Sequence, residues 1–190
     1  MELQSLRQTI WEIHFLNMNK EIAIKAVDEA LKLDGYVEKS ENWDANIKKY
    51  LECVFIDFPA PYCVGFVKYR LIKAAESLNL KLSDEFMKLN GWSPTWKAYA
   101  QKHNIFISVS EARLKPDLIK KGYIILFHSD IKERIYHVGF VVSTTKEGCW
   151  TIEANTSNSS SGSLENGEGI FKKFRRWSAL GRAGGFIKTY

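Results

Sequence analysis

The hydrophobic period changes once along the chain, near Asn104, and that change restricts the possible folds more than any other feature of the sequence. Before it, apolar residues recur every three or four positions, the spacing of one face of an α-helix. Leu6, Ile10, Ile13 and Leu16 form one stripe; Ile22, Ala26, Ala30 and Leu33 form a second, which Asp34-Gly35 terminates. A third helix is expected from about Trp43 to Cys53, with Ile47, Tyr50 and Leu51 on one side. Phe58-Pro59-Ala60-Pro61 bars its continuation, because a residue preceding proline is pushed out of helical backbone. The strongest helix follows from about Tyr62 to Leu78, striped by Cys63, Val67, Leu71, Ala74 and Leu78. After Asn104 the period is two, and strands are expected at 105–109, 123–128, 136–144, 149–156, 169–176 and 185–189. Helices first and strands second, without alternation, predict an α+β fold: N-terminal helices packed on an antiparallel sheet of five or six strands. Thr156–Gly169, dominated by Ser, Asn and Gly, is expected to be a loop between two of those strands.

The chain has 190 residues, 45% hydrophobic and 26% charged, which suits one domain with a real core. Pattern divides it into an N-terminal helical extension, 1–35, and a main domain, 36–190; the extension is open to roles as cap, partner-binding helix pair or part of the core. The longest apolar runs, such as Tyr123–Phe127, fall far short of the roughly 18 residues a spanning helix needs, so no membrane span is expected. Glu2, Arg7, Glu12, His14 and Lys20 interrupt any signal-peptide core, so synthesis in the cytoplasm is expected. Cys53, Cys63 and Cys149 are an odd trio at wide spacing, with no C-x-x-C pair. Neither a disulfide framework nor a metal site is expected, and no cofactor. With 27 basic and 22 acidic side chains the net charge is +5, which leaves a polyanionic partner open.

Candidate chemistry collects on the strands 136–144 and 149–156. Trp150, Ile152 and Ala154 alternate with Thr151, Glu153 and Asn155, and Val138, Phe140 and Val142 with His137, Gly139 and Val141. Each strand therefore reads as half-buried, one face apolar and one polar. A hairpin register centred on Lys146 sets His137 across from Asn155 and Gly139 across from Glu153, within side-chain reach. Two prolines precede Cys63, which opens the long helix. A thiol there feels the positive end of the helix dipole, and a neighbouring imidazolium favours the thiolate further. Covalent acyl transfer needs a nucleophile, a base and a group orienting the base. Cys63 and His137 are the candidates for the first two, and Glu153 and Asn155 both stand for the third.

Ala60-Pro61-Tyr62-Cys63-Val64-Gly65-Phe66-Val67 resembles the nucleophile segment of the CHAP and NlpC-type cysteine peptidases, in which a Pro-aromatic-Cys tripeptide starts the catalytic helix. His137-Val138-Gly139-Phe140-Val141-Val142 is similar to their histidine strand. Thr151-Ile152-Glu153-Ala154-Asn155-Thr156 is similar to the third catalytic strand of CHAP proteins, where Glu and Asn stand two residues apart. The match spans roughly 36–190 with the motifs in order. Lys121-Gly122-Tyr123 departs from the family's Pro-Gly-Asp, Tyr62 replaces a frequent Trp, and Asp34-Gly35-Tyr36 with Asp44 only faintly resembles a calcium loop, at a different spacing.

The resemblance implies a papain-like fold and peptidoglycan hydrolysis by an acyl-enzyme mechanism, as amidase or endopeptidase, with Cys63, His137, Glu153 and Asn155 as site residues. Such a substrate implies action in the cell wall or periplasm; with no signal peptide expected, phage-encoded lysis, secretion-system delivery and intracellular use all fit. Two alternatives stand beside it: a papain-like peptidase or deamidase acting on a protein, and a binding module that keeps the fold without catalysis. Permuted lipid acyltransferases place His before Cys, the reverse of the order here. Trp92, Trp96 and Tyr99 have helical spacing that fits core packing, and Tyr62, Trp92 and Trp96 are the aromatics available to line a substrate groove. Lys172, Lys173, Arg175, Arg176, Arg182 and Lys188 close the chain with no acidic residue among positions 169–190. They read as a solvated edge strand or as a face for anionic wall polymer; nucleic acid is disfavoured because no reading module accompanies them. His128 and Asp130 are expected at the surface, and Cys53 and Cys149 in packing roles.

Overall fold

The computed structural model describes residues 19–158 and 167–190. The Leu6–Leu16 stripe and the middle of the Ser/Asn/Gly loop lie outside them. Helix α1, Lys20–Leu31, starts at Asn19, whose side chain accepts the Glu21 N–H at 2.7 Å. It buries Ile22, Ala23, Ala26, Val27 and Ala30, the predicted stripe. Helix α2, Ala45–Glu52, is capped by Asp44, which accepts from the Asn46 and Ile47 amides. Helix α3, Cys63–Ser77, packs so tightly against α2 that a Cβ at Gly65 would stand 2.2 Å from the Tyr50 carbonyl oxygen. Helices α4, Asp84–Met87, and α5, Ser93–Lys102, complete this half, and α5 begins with proline in its first turn, where no N–H is missed.

The second half is a seven-stranded sheet: β1 Tyr36–Val37, β2 Phe106–Ser108, β3 Ile124–Ser129, β4 Arg134–Thr144, β5 Gly148–Thr156, β6 Gly169–Arg176 and β7 Gly185–Ile187. The order across the sheet is β1-β6-β5-β4-β3-β7-β2, and every neighbouring pair is antiparallel. The strand count therefore exceeds the five or six expected. The addition is β1, whose two residues are too few to carry a period. Helix α6, Val109–Leu114, follows β2 and opens with a reciprocal Ser108–Glu111 capping box.

Both faces of the sheet carry a buried core. On one, Val138 and Phe140 of β4 and Ile152 and Ala154 of β5 meet Ala26, Tyr50, Phe66 and Trp96 from the helices. Phe66 and Phe140 meet edge to face at 6.4 Å between centroids. Each such side chain contributes roughly 1.5–3 kcal/mol by leaving water. On the other, Ile125, Phe127, Val141, Cys149 and Phe186 are covered by Val109 and Ala112 of α6 and by Trp177 and Leu180 of a 3-10 turn, Trp177–Leu180. The expectation of a solvated polar face on β5 is thereby corrected. Thr151, Glu153 and Asn155 are fully buried, on the sheet face they share by alternation with Cys149 of this second core. At 169–176, β1 pairs only the first two residues of β6; beyond them Lys172, Phe174 and Arg176 are exposed, as the expected solvated edge requires, while Phe171 is buried. No described helix is long and apolar enough to cross a membrane.

Candidate active site

Cys63 is the first residue of α3 and only 5% exposed. No side chain caps this helix, whose first internal bond runs from the Phe66 N–H to the Tyr62 carbonyl at 2.8 Å. The amides of its opening turn are thus free of side-chain acceptors beside the thiol. His137, in β4, is completely buried, and its Nε2 lies 3.0 Å from Glu153 Oε2. The predicted register places Glu153 there: Gly139 pairs with Glu153 across the hairpin. A Cβ at Gly139 would sit 2.6 Å from Glu153 Cγ, so the glycine vacates the space that the carboxylate's stem fills.

Glu153 is held on every side. Arg175 of β6 donates from Nε to Oε1 at 2.8 Å and from Nη2 to Oε2 at 2.6 Å. The Thr151 hydroxyl donates to Oε1 at 2.5 Å. With the imidazole, the two oxygens take part in four hydrogen bonds, the full capacity of a carboxylate. Burial pushes the Glu153 carboxyl upward, yet hydrogen bonds and charge from Arg175 and His137 outweigh it and hold the group down at about 2. Burial likewise pushes His137 downward, but negative charge and hydrogen bonding from Cys63, then from Glu153, raise it to about 9. Nε2 is taken by Glu153, which leaves Nδ1 as the nitrogen for the thiol. The buried charges of His137, Glu153 and Arg175 thus alternate: positive, negative, positive.

This network gives stability a pH window. Glu153 sits below its ordinary 4.5, so its contribution is present above 4.5 and disappears as pH falls toward about 2. His137 sits above its ordinary 6.5, so its contribution is complete below 6.5 and disappears as pH rises toward about 9. Thermal unfolding followed against pH is expected to show the network's full effect between 4.5 and 6.5, and Glu153→Gln to flatten both flanks. Flanks of equal steepness in the two proteins would contradict this.

The other predicted residues are placed as follows. Asn155 is buried at φ 59°, at the register irregularity between Ala154 and Thr156, and its backbone acts on the Tyr62 hydroxyl. The side chain seen on His137 Nε2 is that of Glu153. Tyr62 is fully buried and stacks on Tyr50 at 6.2 Å. Trp96 is fully buried too, its Nε1–H donating to the Asn90 carbonyl at 3.0 Å and its ring against Phe86. The expectation that Tyr62 and Trp96 line a groove is corrected, since neither presents surface. Trp92 is 52% exposed, with the Arg134 guanidinium 4.6 Å above its ring. Cys53 and Cys149 have thiols pushed up by burial to about 12, as packing residues would. His128 pairs with Asp130 at 2.9 Å.

Arg175 and Thr151 were missed by the sequence reading. Period two did carry the signal: Phe171, Lys173 and Arg175 share one face of β6, and pairing sets Phe171 opposite Glu153. Among the described residues no three Cys, His, Asp or Glu side chains form a metal-binding group. His137 is bonded to Glu153 and feels Cys63 as well. None of the known family models, curated proteins or solved structures compared with the chain matches it.

Proposed function

We propose that the chain is a cysteine amidohydrolase of the papain-like, CHAP/NlpC type that cleaves an amide bond of peptidoglycan. The observation that carries this reading is the buried His137 imidazole, bonded to the Glu153 carboxylate and electrostatically influenced by the helix-opening Cys63. In this mechanism the Cys63 thiolate attacks the amide carbonyl carbon, and the carbonyl electrons move onto oxygen. The amides of the uncapped first turn of α3 stabilise that oxyanion. His137 gives its proton to the departing amine as the C–N bond breaks, leaving a thioester on Cys63. Water, deprotonated by His137, then hydrolyses the thioester and restores the thiolate–imidazolium pair. Glu153 fixes the ring and supports its positive charge.

Peptidoglycan as the substrate is supported by the three motifs in order around this geometry. Exposed Lys172, Arg176 and Arg182 suit contact with anionic wall polymer. The test is incubation with purified sacculi, followed by mass spectrometry of the soluble products. Free lactyl ends with intact stem peptides identify an amidase, and shortened peptides an endopeptidase. Failure on every sacculus, together with rapid labelling of Cys63 by a thiol probe, would replace the wall with a protein substrate. An unreactive Cys63 would leave a binding module.

A further inference from the structure

We infer that Arg175 is a positioning residue of this site: its guanidinium fork keeps the Glu153 carboxylate ionised and aimed at His137, so that β6 governs the charge state of the thiol–imidazole pair. The inference rests on the acyl-transfer reading of Cys63 and His137, and adds a fourth element to the site.

The geometry distinguishes Arg175 from an incidental cross-strand cation. Glu153 is paired across the sheet with Phe171, Thr151 with Lys173, and Cys149 with Arg175. Lys173 stands nearer in register than Arg175, yet its ammonium is bonded to the Ser157 carbonyl at 2.7 Å and the Asn158 carbonyl at 3.3 Å. Arg175 reaches past it to bind both carboxylate oxygens. Its side chain is only 12% exposed and lies over Phe127, at 5.4 Å from the ring centroid. Phe127 in turn meets the His137 ring at 5.3 Å, so one aromatic side chain supports both ends of the Arg175–Glu153–His137 line.

The chemical reason lies in where the proton rests. A buried carboxylate beside an imidazolium has two states: the ion pair, or a neutral acid beside a neutral imidazole. Burial alone favours the neutral pair. A guanidinium does not give up a proton, and it donates two hydrogen bonds that only the ionised form accepts together. It thereby keeps the proton on His137. A proton held on His137 is what lets Cys63 exist as thiolate, because the thiol's proton is the one the imidazole carries. The titratable and charged groups around Glu153 are Cys63 from α3, His137 from β4, Cys149 from β5, and Lys173 and Arg175 from β6, with Tyr136 of β4 acting on Arg175. His137 and Arg175 both touch the carboxylate directly, and of the two Arg175 stays charged across the working range.

The experiment follows alkylation of Cys63 by iodoacetamide against pH, with the labelled site identified by mass spectrometry, in the wild type, Arg175→Met and Arg175→Lys. The wild-type profile supplies the reference midpoint for Cys63. In Arg175→Met the midpoint of the profile should rise by at least about one pH unit, making labelling roughly tenfold slower on the acid side. Arg175→Lys should return most of that shift, since it restores charge without the fork. A folded Arg175→Met with the wild-type profile would overturn the inference. Should Arg175→Met not fold, the comparison of Arg175→Lys with wild type decides by its intermediate profile. As a second measurement, Arg175→Met added to Glu153→Gln should shift the profile no further than Glu153→Gln alone; an additive shift would show that Arg175 does not act through Glu153. Alkylation needs no wall substrate, so a chain inactive on sacculi can still pass this test. A wild-type thiol that reacts only as a buried one would instead sink the acyl-transfer reading itself.

Discussion

Cys63→Ala is expected to stop the release of soluble fragments from sacculi, with a loss of about 10⁴- to 10⁶-fold, while the protein stays folded. The size follows from removing the only atom that forms the covalent intermediate; binding and oxyanion contacts then account for what remains. The fold should survive because the substitution deletes one sulfur at a position with 5% exposure, at the edge of a core held by Phe66, Tyr50 and Trp96. A cost of about 1 kcal/mol is expected. Turbidity loss of sacculi reports the activity, and far-UV circular dichroism with thermal melting reports the fold. Activity in this variant equal to wild type would end the proposal of a cysteine hydrolase.

Glu153→Ala should have the largest effect on stability of any single change at the site. The alanine leaves Arg175 and His137 with donors aimed at nothing and two buried cations facing each other across the space, while the Thr151 hydroxyl keeps the Lys173 carbonyl as acceptor. Removing one member of a buried ion pair costs about 3–5 kcal/mol. For a chain of this length, that lowers Tm by roughly 6–20 °C. Glu153→Gln should cost less, because the carboxamide oxygen still accepts from Arg175 and the volume is kept. Differential scanning calorimetry of the two variants separates these outcomes. Equal melting of Glu153→Ala and wild type would mean that the network carries no net stability.

Much of the fold was legible because its elements are locally consistent. The alternation from 136 to 156 set both strands within two residues of their observed ends, and the turn at Lys146 fixed the pairing of Gly139 with Glu153. Cys63 stood out through the two prolines that bar an earlier helix start. What escaped was whatever depends on a second layer. Nothing local to Thr151, Glu153 and Asn155 announces that α6 and a 3-10 turn arrive from elsewhere to build a second core on their side of the sheet. Arg175 was hidden for the same reason: on an alternating strand an arginine looks the same whether it meets water or a carboxylate. Trp92 and Trp96 illustrate the converse. Helical spacing treats them alike, but Trp92 precedes the first turn of α5 and stays exposed, while Trp96 points into the core.

The position of β7 has a consequence for synthesis on the ribosome. Among the described strands, β2 pairs with β7 alone, and β7 also supplies the outer neighbour of β3. About eighty residues separate β2 from β7 in the chain, several seconds of elongation at roughly 5–20 residues per second. Throughout that interval the backbone of Phe106–Ser108 and one edge of β3 are open templates for foreign strands. Nascent chains arrested in that interval should therefore be more prone to aggregate than the finished protein, and in need of a chaperone.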